Sequence, residues 1–150
     1  MIEIEKLIST WKEQGLRLPI GVDTDQIVAF ERLHAVKLPL DLKTYFLNVN
    51  GMDPYPPHSQ DREGFSFWSL QRLRIADVSC RGHAGLTEEK HYVFADYLNW
   101  SWAYSIRLSE DAAQENTILL LGGDQPMVIA RSFSEFIDSY MAGASILYGD

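Results

Sequence analysis

The sequence predicts an α+β domain: short helices toward the N-terminus, a central and mostly antiparallel sheet of four to six strands, and a closing amphipathic helix. Helical spacing of apolar residues dominates residues 2–49, aromatic and β-branched runs dominate residues 65–130, and helical spacing returns after Ser132. Helices precede the strands and do not alternate with them, which separates this chain from parallel α/β folds.

The first helix is predicted over residues 2–14, where Ile4, Leu7, Ile8 and Trp11 recur at helical spacing and Gly15 follows. A turn then leads to Asp23, whose carboxylate suits an N-cap, with Gln26 placed to complete a capping box. Ile27, Phe30, Leu33 and His34 mark the expected inner side of this second helix. The segment LPLDLKTYFLNVNG, residues 38–51, reads as a complete third helix. Pro39 fits a first turn that needs no N–H, Gly51 suits a left-handed cap, and Leu42, Tyr45, Phe46 and Val49 fall on one face.

Residues 52–64 hold three prolines and no periodic apolar face, and are read as loop. FSFWSL, residues 65–70, alternates aromatic and serine side chains like a strand with one buried face, and Leu73 and Ile75 continue it. HYVFADYL and WAYSIRL are two further strands, joined through 99–101 by a connection short enough for a hairpin. TILLLG and PMVIA form another pair about a GGDQ turn, with positive φ expected at Gly122 and Gly123. Ser132 and Glu135 then begin a helix whose Phe133, Phe136, Ile137, Tyr140, Met141 and Ala144 keep the amphipathic rhythm to about Gly143.

A length of 150 residues with 46% apolar content fits one domain over 1–150. No apolar run is long enough to span a bilayer, and the acidic start lacks the basic character of a signal peptide. Cys80 is the single cysteine, so no internal disulfide forms, and a cytoplasmic setting is expected. The net charge of −8 is concentrated in residues 91–150, where eight acids face Arg107 and Arg131 for a net −6. Such a surface disfavours direct nucleic-acid binding and would speed encounter with a basic protein, though it also serves solubility alone.

LPLDLKTYFLNVNG resembles the helix signature of the SUKH superfamily, a leucine-proline-acid start leading through an apolar helix to asparagine-glycine. Later landmarks follow in order: the aromatic strand of residues 65–70, a strand ending in the acidic-aromatic stretch 93–97, the tyrosine-bearing strand 103–108, and the SFSEFIDSYM helix. The resemblance covers roughly residues 23–142; the polar region after the first strand and the WSW hairpin at residues 100–102 depart from it. It implies a single α+β domain without enzymatic activity and without a cofactor. Commonly such a domain is a bacterial immunity protein that neutralises a polymorphic toxin by occlusion, with fungal relatives regulating cell-wall assembly. The implied partner is a cognate protein toxin, often a basic nuclease. A regulatory or scaffold role without a toxin, and a small hydrolase using His83 or His91, are the alternatives. The oligomeric state is left open between monomer and weak dimer.

A partner-binding surface needs aromatic anchors ringed by charge. Asp96, Tyr97, Trp100, Trp102 and Tyr104 supply the anchor region, with Trp100 at the expected hairpin tip and Trp102 and Tyr104 equally suited to the core. Glu110, Asp111 and Asp124 are rim charges on loops. Cys80, His83 and His91, with His58 before them, make at most three scattered metal donors, so no metal site is assigned. No nucleophile elbow or phosphate-binding glycine loop is found, and no catalytic residue is assigned.

Overall fold

A computed structural model describes residues 3–77, 90–111 and 113–149. Helix α1, Ile4–Glu13, is slightly shorter than the periodicity predicts and buries Ile4, Leu7 and Trp11. Helix α2, Thr24–His34, opens on the predicted capping box: the Gln26 N–H donates to Asp23 Oδ1 at 2.8 Å, and the Asp23 N–H donates to Gln26 Oε1 at 3.0 Å. Its inner face is Ile27, Phe30 and Glu31. Leu33, expected inside, is 80% exposed, while the Glu31 carboxylate turns inward to accept the Leu38 N–H at 2.7 Å. The buried acceptor takes that turn of the helix, and Leu33 is rotated outward.

Helix α3, Leu40–Asn48, carries the signature, and Leu42, Tyr45, Phe46 and Val49 are all buried as the spacing predicts. Its ends differ from expectation. Pro39 is the N-cap in extended conformation, and the helix closes on an extended Val49, not on glycine. Gly51 does take positive φ, +68°, but for another reason: a Cβ there would lie 2.5 Å from the Trp68 carbonyl oxygen. The backbone passes against the first strand, and the Met52 N–H donates to the Phe67 carbonyl at 2.8 Å. Only glycine admits both the approach and the dihedral.

The sheet comprises β1 (Phe65–Phe67), β2 (Arg74–Ile75), β3 (His91–Tyr97), β4 (Trp102–Arg107), β5 (Ile118–Leu121) and β6 (Met127–Ala130). Every pairing among the described residues is antiparallel, in the order β1-β3-β4-β5-β6, with β2 also lying along β3. β1 is shorter than predicted, because residues 70–72 form a 3₁₀ turn before β2. Ser66 is buried like its aromatic neighbours, so β1 is covered on both faces. Phe65 opposes Tyr97 and Tyr97 opposes Trp102, which puts the three on one face. A bulge between Val93 and Ala95 lets Phe94 join that face.

Helix α4, Phe133–Ala142, packs there: the Phe136 ring lies 5.1 Å from Phe94 and 5.4 Å from Tyr104, and Phe133 lies 5.7 Å from Phe94. Each buried aromatic of this layer contributes about 1.5–3 kcal/mol from area removed from water. The Ser132 side chain accepts the Glu135 N–H at 3.0 Å, and Gly143 at φ +65° ends the helix. Asp41, the acid of the signature, reaches α4 as well, its Oδ2 accepting the N–H and the hydroxyl of Ser134.

A polar chain joins α1, α4 and the 52–64 loop. The Trp11 indole N–H donates to the Tyr140 hydroxyl at 2.8 Å, and that hydroxyl donates to Asp61 Oδ2. Asp61 Oδ1 accepts the N–H groups of Glu63, Gly64 and Phe65, each at 2.9 Å, so one carboxylate sets the entry into β1. Burial pushes the Asp61 carboxyl up, and these four hydrogen bonds oppose the shift.

Candidate interaction surface

The β3–β4 connection has the longest run of positive-φ residues among the described residues. Leu98, Asn99 and Trp100 carry φ of +48°, +51° and +74°, a left-handed run that costs non-glycine residues about 1–3 kcal/mol each. Surrounding hydrogen bonds fix it. The Leu98 N–H donates to the Gly64 carbonyl at 3.0 Å, Gln60 Nε2 donates to Asn99 Oδ1 at 2.8 Å, and the Ser101 hydroxyl donates to the Leu98 carbonyl at 2.9 Å. Positive φ was expected at the next turn in both Gly122 and Gly123; Gly122 has it, at +152°, and Gly123 does not. A Cβ on Gly122 would stand 2.5 Å from the Trp102 ring and 2.9 Å from the Ser101 carbonyl, so that glycine makes room for the neighbouring hairpin.

The turn presents Trp100, 39% exposed. Its ring meets Trp68 edge to face at 5.1 Å. Beneath them lies Asp96, expected as a partner contact but only 4% exposed. Its Oδ2 accepts the Trp68 indole N–H at 2.7 Å and its Oδ1 accepts the Trp100 backbone N–H at 3.3 Å. The strand alternation that turns Asp96 to this face turns Tyr97 to the other, where its ring packs against Phe65 at 4.7 Å and Tyr148 at 5.2 Å. Tyr104 is fully buried and Trp102 partly buried against the core, the structural role open to both from the sequence.

The acidic residues divide between two ends of the sheet. Asp124 is exposed on the β5–β6 turn, and Leu121 before that turn pairs with Ala103, so it lies at the Trp100 end. Glu110 and Asp111 are exposed beyond the far end of β4, roughly 17 Å away at about 3.4 Å per strand residue. Glu110 there borders a cleft with Glu31, Arg32 and Lys37. Trp100 and Asp124 therefore lie at one end of the sheet, and Glu110 and Asp111 at the other.

Sequence reasoning passed over three residues of this site: Trp68, Arg72 and Arg74. The Arg72 guanidinium lies 4.2 Å above the Trp68 ring centroid and that of Arg74 lies 5.1 Å from the Trp100 centroid. Burial lowers the Arg72 pKa, neighbouring Asp96 opposes this, and Arg74 reinforces it. The two arginines at i and i+2 of QRLRI, flanking the buried Leu73, were the available signal.

Among the metal candidates, Cys80 and His83 lie outside the described residues. His58 Nδ1 accepts the Arg17 N–H at 3.0 Å, and His91 is buried at the start of β3. Among the described residues no group of three His, Cys, Asp or Glu side chains is arranged to hold a metal ion. No helix among them is long and apolar enough to cross a membrane.

Helices at both ends of the chain and an antiparallel sheet between them define an α+β domain. Residues 21–139 match the family model described as the SMI1 / KNR4 family (SUKH-1), and the chain belongs to that family. The match takes in the capped α2, the signature helix, the whole sheet and most of α4. No curated protein matches the chain. A domain of this family fits the role of an immunity protein or a related regulator.

Proposed function

We propose that this protein is a non-enzymatic immunity protein, acting in the cytoplasm by binding a cognate toxin and covering its functional surface. The observation that carries the reading is membership of the SUKH-1 family over residues 21–139. The surface chemistry supports it. Trp100 is a large ring held on a strained, hydrogen-bonded turn, so ordering costs little on binding and contact area is ready-made. The acidic excess of residues 91–150 complements a basic partner such as a nuclease, whose active face must hold phosphates.

Co-expression with a candidate toxin, sought in the gene beside this one, tests the reading. Growth is expected to be rescued by the wild-type chain, and failure to rescue rejects the proposal. In the rescued system, reversing Asp124 is expected to slow association and flatten its salt dependence, and Trp100→Ala to speed dissociation. The Glu110/Asp111 reversal, at the other end of the sheet, is expected to change association less than the Asp124 reversal.

A further inference from the structure

Two helices end at one cavity. Thr10 and Gln14 of α1 and Met141, Ala142 and Gly143 of α4 line a space of about 410 Å³, within the roughly 300–1,000 Å³ of ligand pockets. α1 stops at Glu13 and α4 at Ala142, so both macrodipoles turn their negative ends, about half an elementary charge each, toward it. The Met141 and Ala142 carbonyls accept no backbone hydrogen bond among the described residues. Aromatic surface comes from Phe65, Tyr140 and, in the 3₁₀ turn Ser145–Tyr148 after α4, Tyr148. The Phe65 ring lies 5.2 Å from Tyr140 and 6.0 Å from Tyr148, at 83° and 50°, so a group seated there meets ring surface from more than one direction. Asp61 and Glu63 complete the lining. Asp61 is engaged by the Tyr140 hydroxyl and three backbone N–H groups and supplies charge alone, whereas Glu63 is exposed.

No cationic side chain lines the cavity among the described residues. Lys12, in the last turn of α1, is two residues from both Thr10 and Gln14 and therefore on the opposite side of the helix. Helical side chains lean toward the N-terminus, and Lys6, one turn before Thr10, lines a separate cleft with Glu3 and Asp138. Arg62, between the two acids in sequence, is exposed, and neither Asp61 nor Glu63 forms an ion pair among the described residues. Burial raises the Tyr148 pKa, and Tyr97, Glu63 and Asp61 raise it further, as a negative surrounding does.

We infer that this cavity receives an arginine side chain of the protein partner, its guanidinium against the tyrosine rings and its N–H groups donating to Glu63 and to the open carbonyls of α4. A planar guanidinium suits this wall better than a lysine ammonium, because it stacks on a ring and still directs donors to two sides. Position selects a side chain of the partner over a free amine. The Gly64 carbonyl, between Glu63 and Phe65, accepts the Leu98 N–H at 3.0 Å, and the Tyr148 ring lies 5.2 Å from Tyr97 at the end of β3. The cavity thus borders the turn that carries Trp100, and a partner resting on that turn reaches it.

This inference deepens the immunity reading and rests on it for the partner's protein nature, yet the two are separable by experiment. The full chain, with its tyrosine ring and methionine methyl signals observed by NMR, is titrated with N-acetyl-arginine amide, with the uncharged isostere N-acetyl-citrulline amide, with N-acetyl-lysine amide and with choline. The arginine probe is expected to shift the Tyr140, Tyr148 and Met141 signals saturably, the citrulline probe to bind about tenfold more weakly, and the lysine probe to fall between them. Glu63→Gln, an exposed change, is expected to weaken arginine binding about fivefold. Ala142→Lys, which sets a cation at the rim, is expected to abolish it, and both variants keep the wild-type melting temperature within a few degrees. No saturable shift, equal binding of the citrulline probe, or tighter binding of choline overturns the inference. Both variants are then compared with the wild type for affinity toward the toxin found by co-expression, and weaker binding is expected. If they bind that toxin and rescue growth as the wild type does, the arginine site is rejected while the immunity reading stands.

Discussion

Asp41 Oδ2 accepts two hydrogen bonds from one residue of another helix, the backbone N–H of Ser134 at 2.8 Å and its hydroxyl at 3.0 Å. Asp41 lies in the first turn of α3 and Ser134 in the first turn of α4, so the signature acid satisfies an N–H that α4 leaves unpaired and places a negative charge at its positive end. This explains physically why an acid belongs at that point of the signature. Asp41→Ala is expected to destabilise the fold by about 1–2 kcal/mol, read as a lowered urea midpoint at constant slope. Asp41→Asn retains an acceptor for the N–H and is expected to cost less.

Two core-packed tyrosines, Tyr45 buried and Tyr140 partly buried, are expected to respond with opposite sign when the hydroxyl is removed. The Tyr140 hydroxyl sits between the Trp11 indole and Asp61, so Tyr140→Phe strands a buried donor and a buried carboxylate oxygen, at a cost of about 1–3 kcal/mol. The Tyr45 hydroxyl is buried with no hydrogen-bond partner among the described residues, and its ring already packs against Trp11, Phe46 and Phe133. Tyr45→Phe is therefore expected to be neutral or to stabilise by about 1 kcal/mol. Chemical denaturation of the two variants beside the wild type checks both.

These two cases mark how far the sequence could be read. Periodicity located Leu42, Tyr45, Phe46 and Val49 on one face of α3 and all four are buried, because repeat spacing is a local property of the chain. The Asp23–Gln26 box was legible for the same reason. Whether a buried hydroxyl finds a partner depends on residues such as Asp61 and Tyr140, 79 positions apart, and no local pattern carries that. The candidate site shows the same division. Trp100 was placed at a hairpin tip by turn spacing, whereas its stack with Trp68, Arg72 and Arg74 depends on β1, β2 and β3 being neighbours in the sheet. Asp96 looked like a surface charge until strand alternation and the Trp68 indole turned it inward.

Gly51→Ala tests the close passage of the chain beneath Trp68. With φ at +68° and the Trp68 carbonyl oxygen 2.5 Å from the new methyl group, neither the dihedral nor the backbone neighbour accommodates it. The variant is expected to lose about 2 kcal/mol or more, and to broaden the Trp68 indole signal by disturbing its hydrogen bond to Asp96.

Acid sensitivity is expected from His34. Its ring lies 4.3 Å from Phe30 and 5.3 Å from Tyr92, and burial, reinforced by the Lys90 charge, lowers its pKa from the ordinary 6.5. The folded state thus binds the proton less readily than the unfolded chain, so this residue's contribution is fully present at neutral pH and is lost as pH falls below 6.5. Subtracting the stability of His34→Gln from that of the wild type at each pH isolates the effect. The difference is expected to decline between neutral pH and the lowered pKa, and a flat difference would reject it.

Under the proposed function the protein neutralises a toxin by covering its surface, without chemistry of its own. Titrating a fixed amount of the toxin identified by the co-expression test with the purified chain measures this most directly. Residual toxin activity is expected to fall linearly and vanish at equimolar protein, with both chains recovered at unchanged mass. Inactivation by sub-equimolar protein, or a toxin recovered cleaved or covalently modified, would contradict the account.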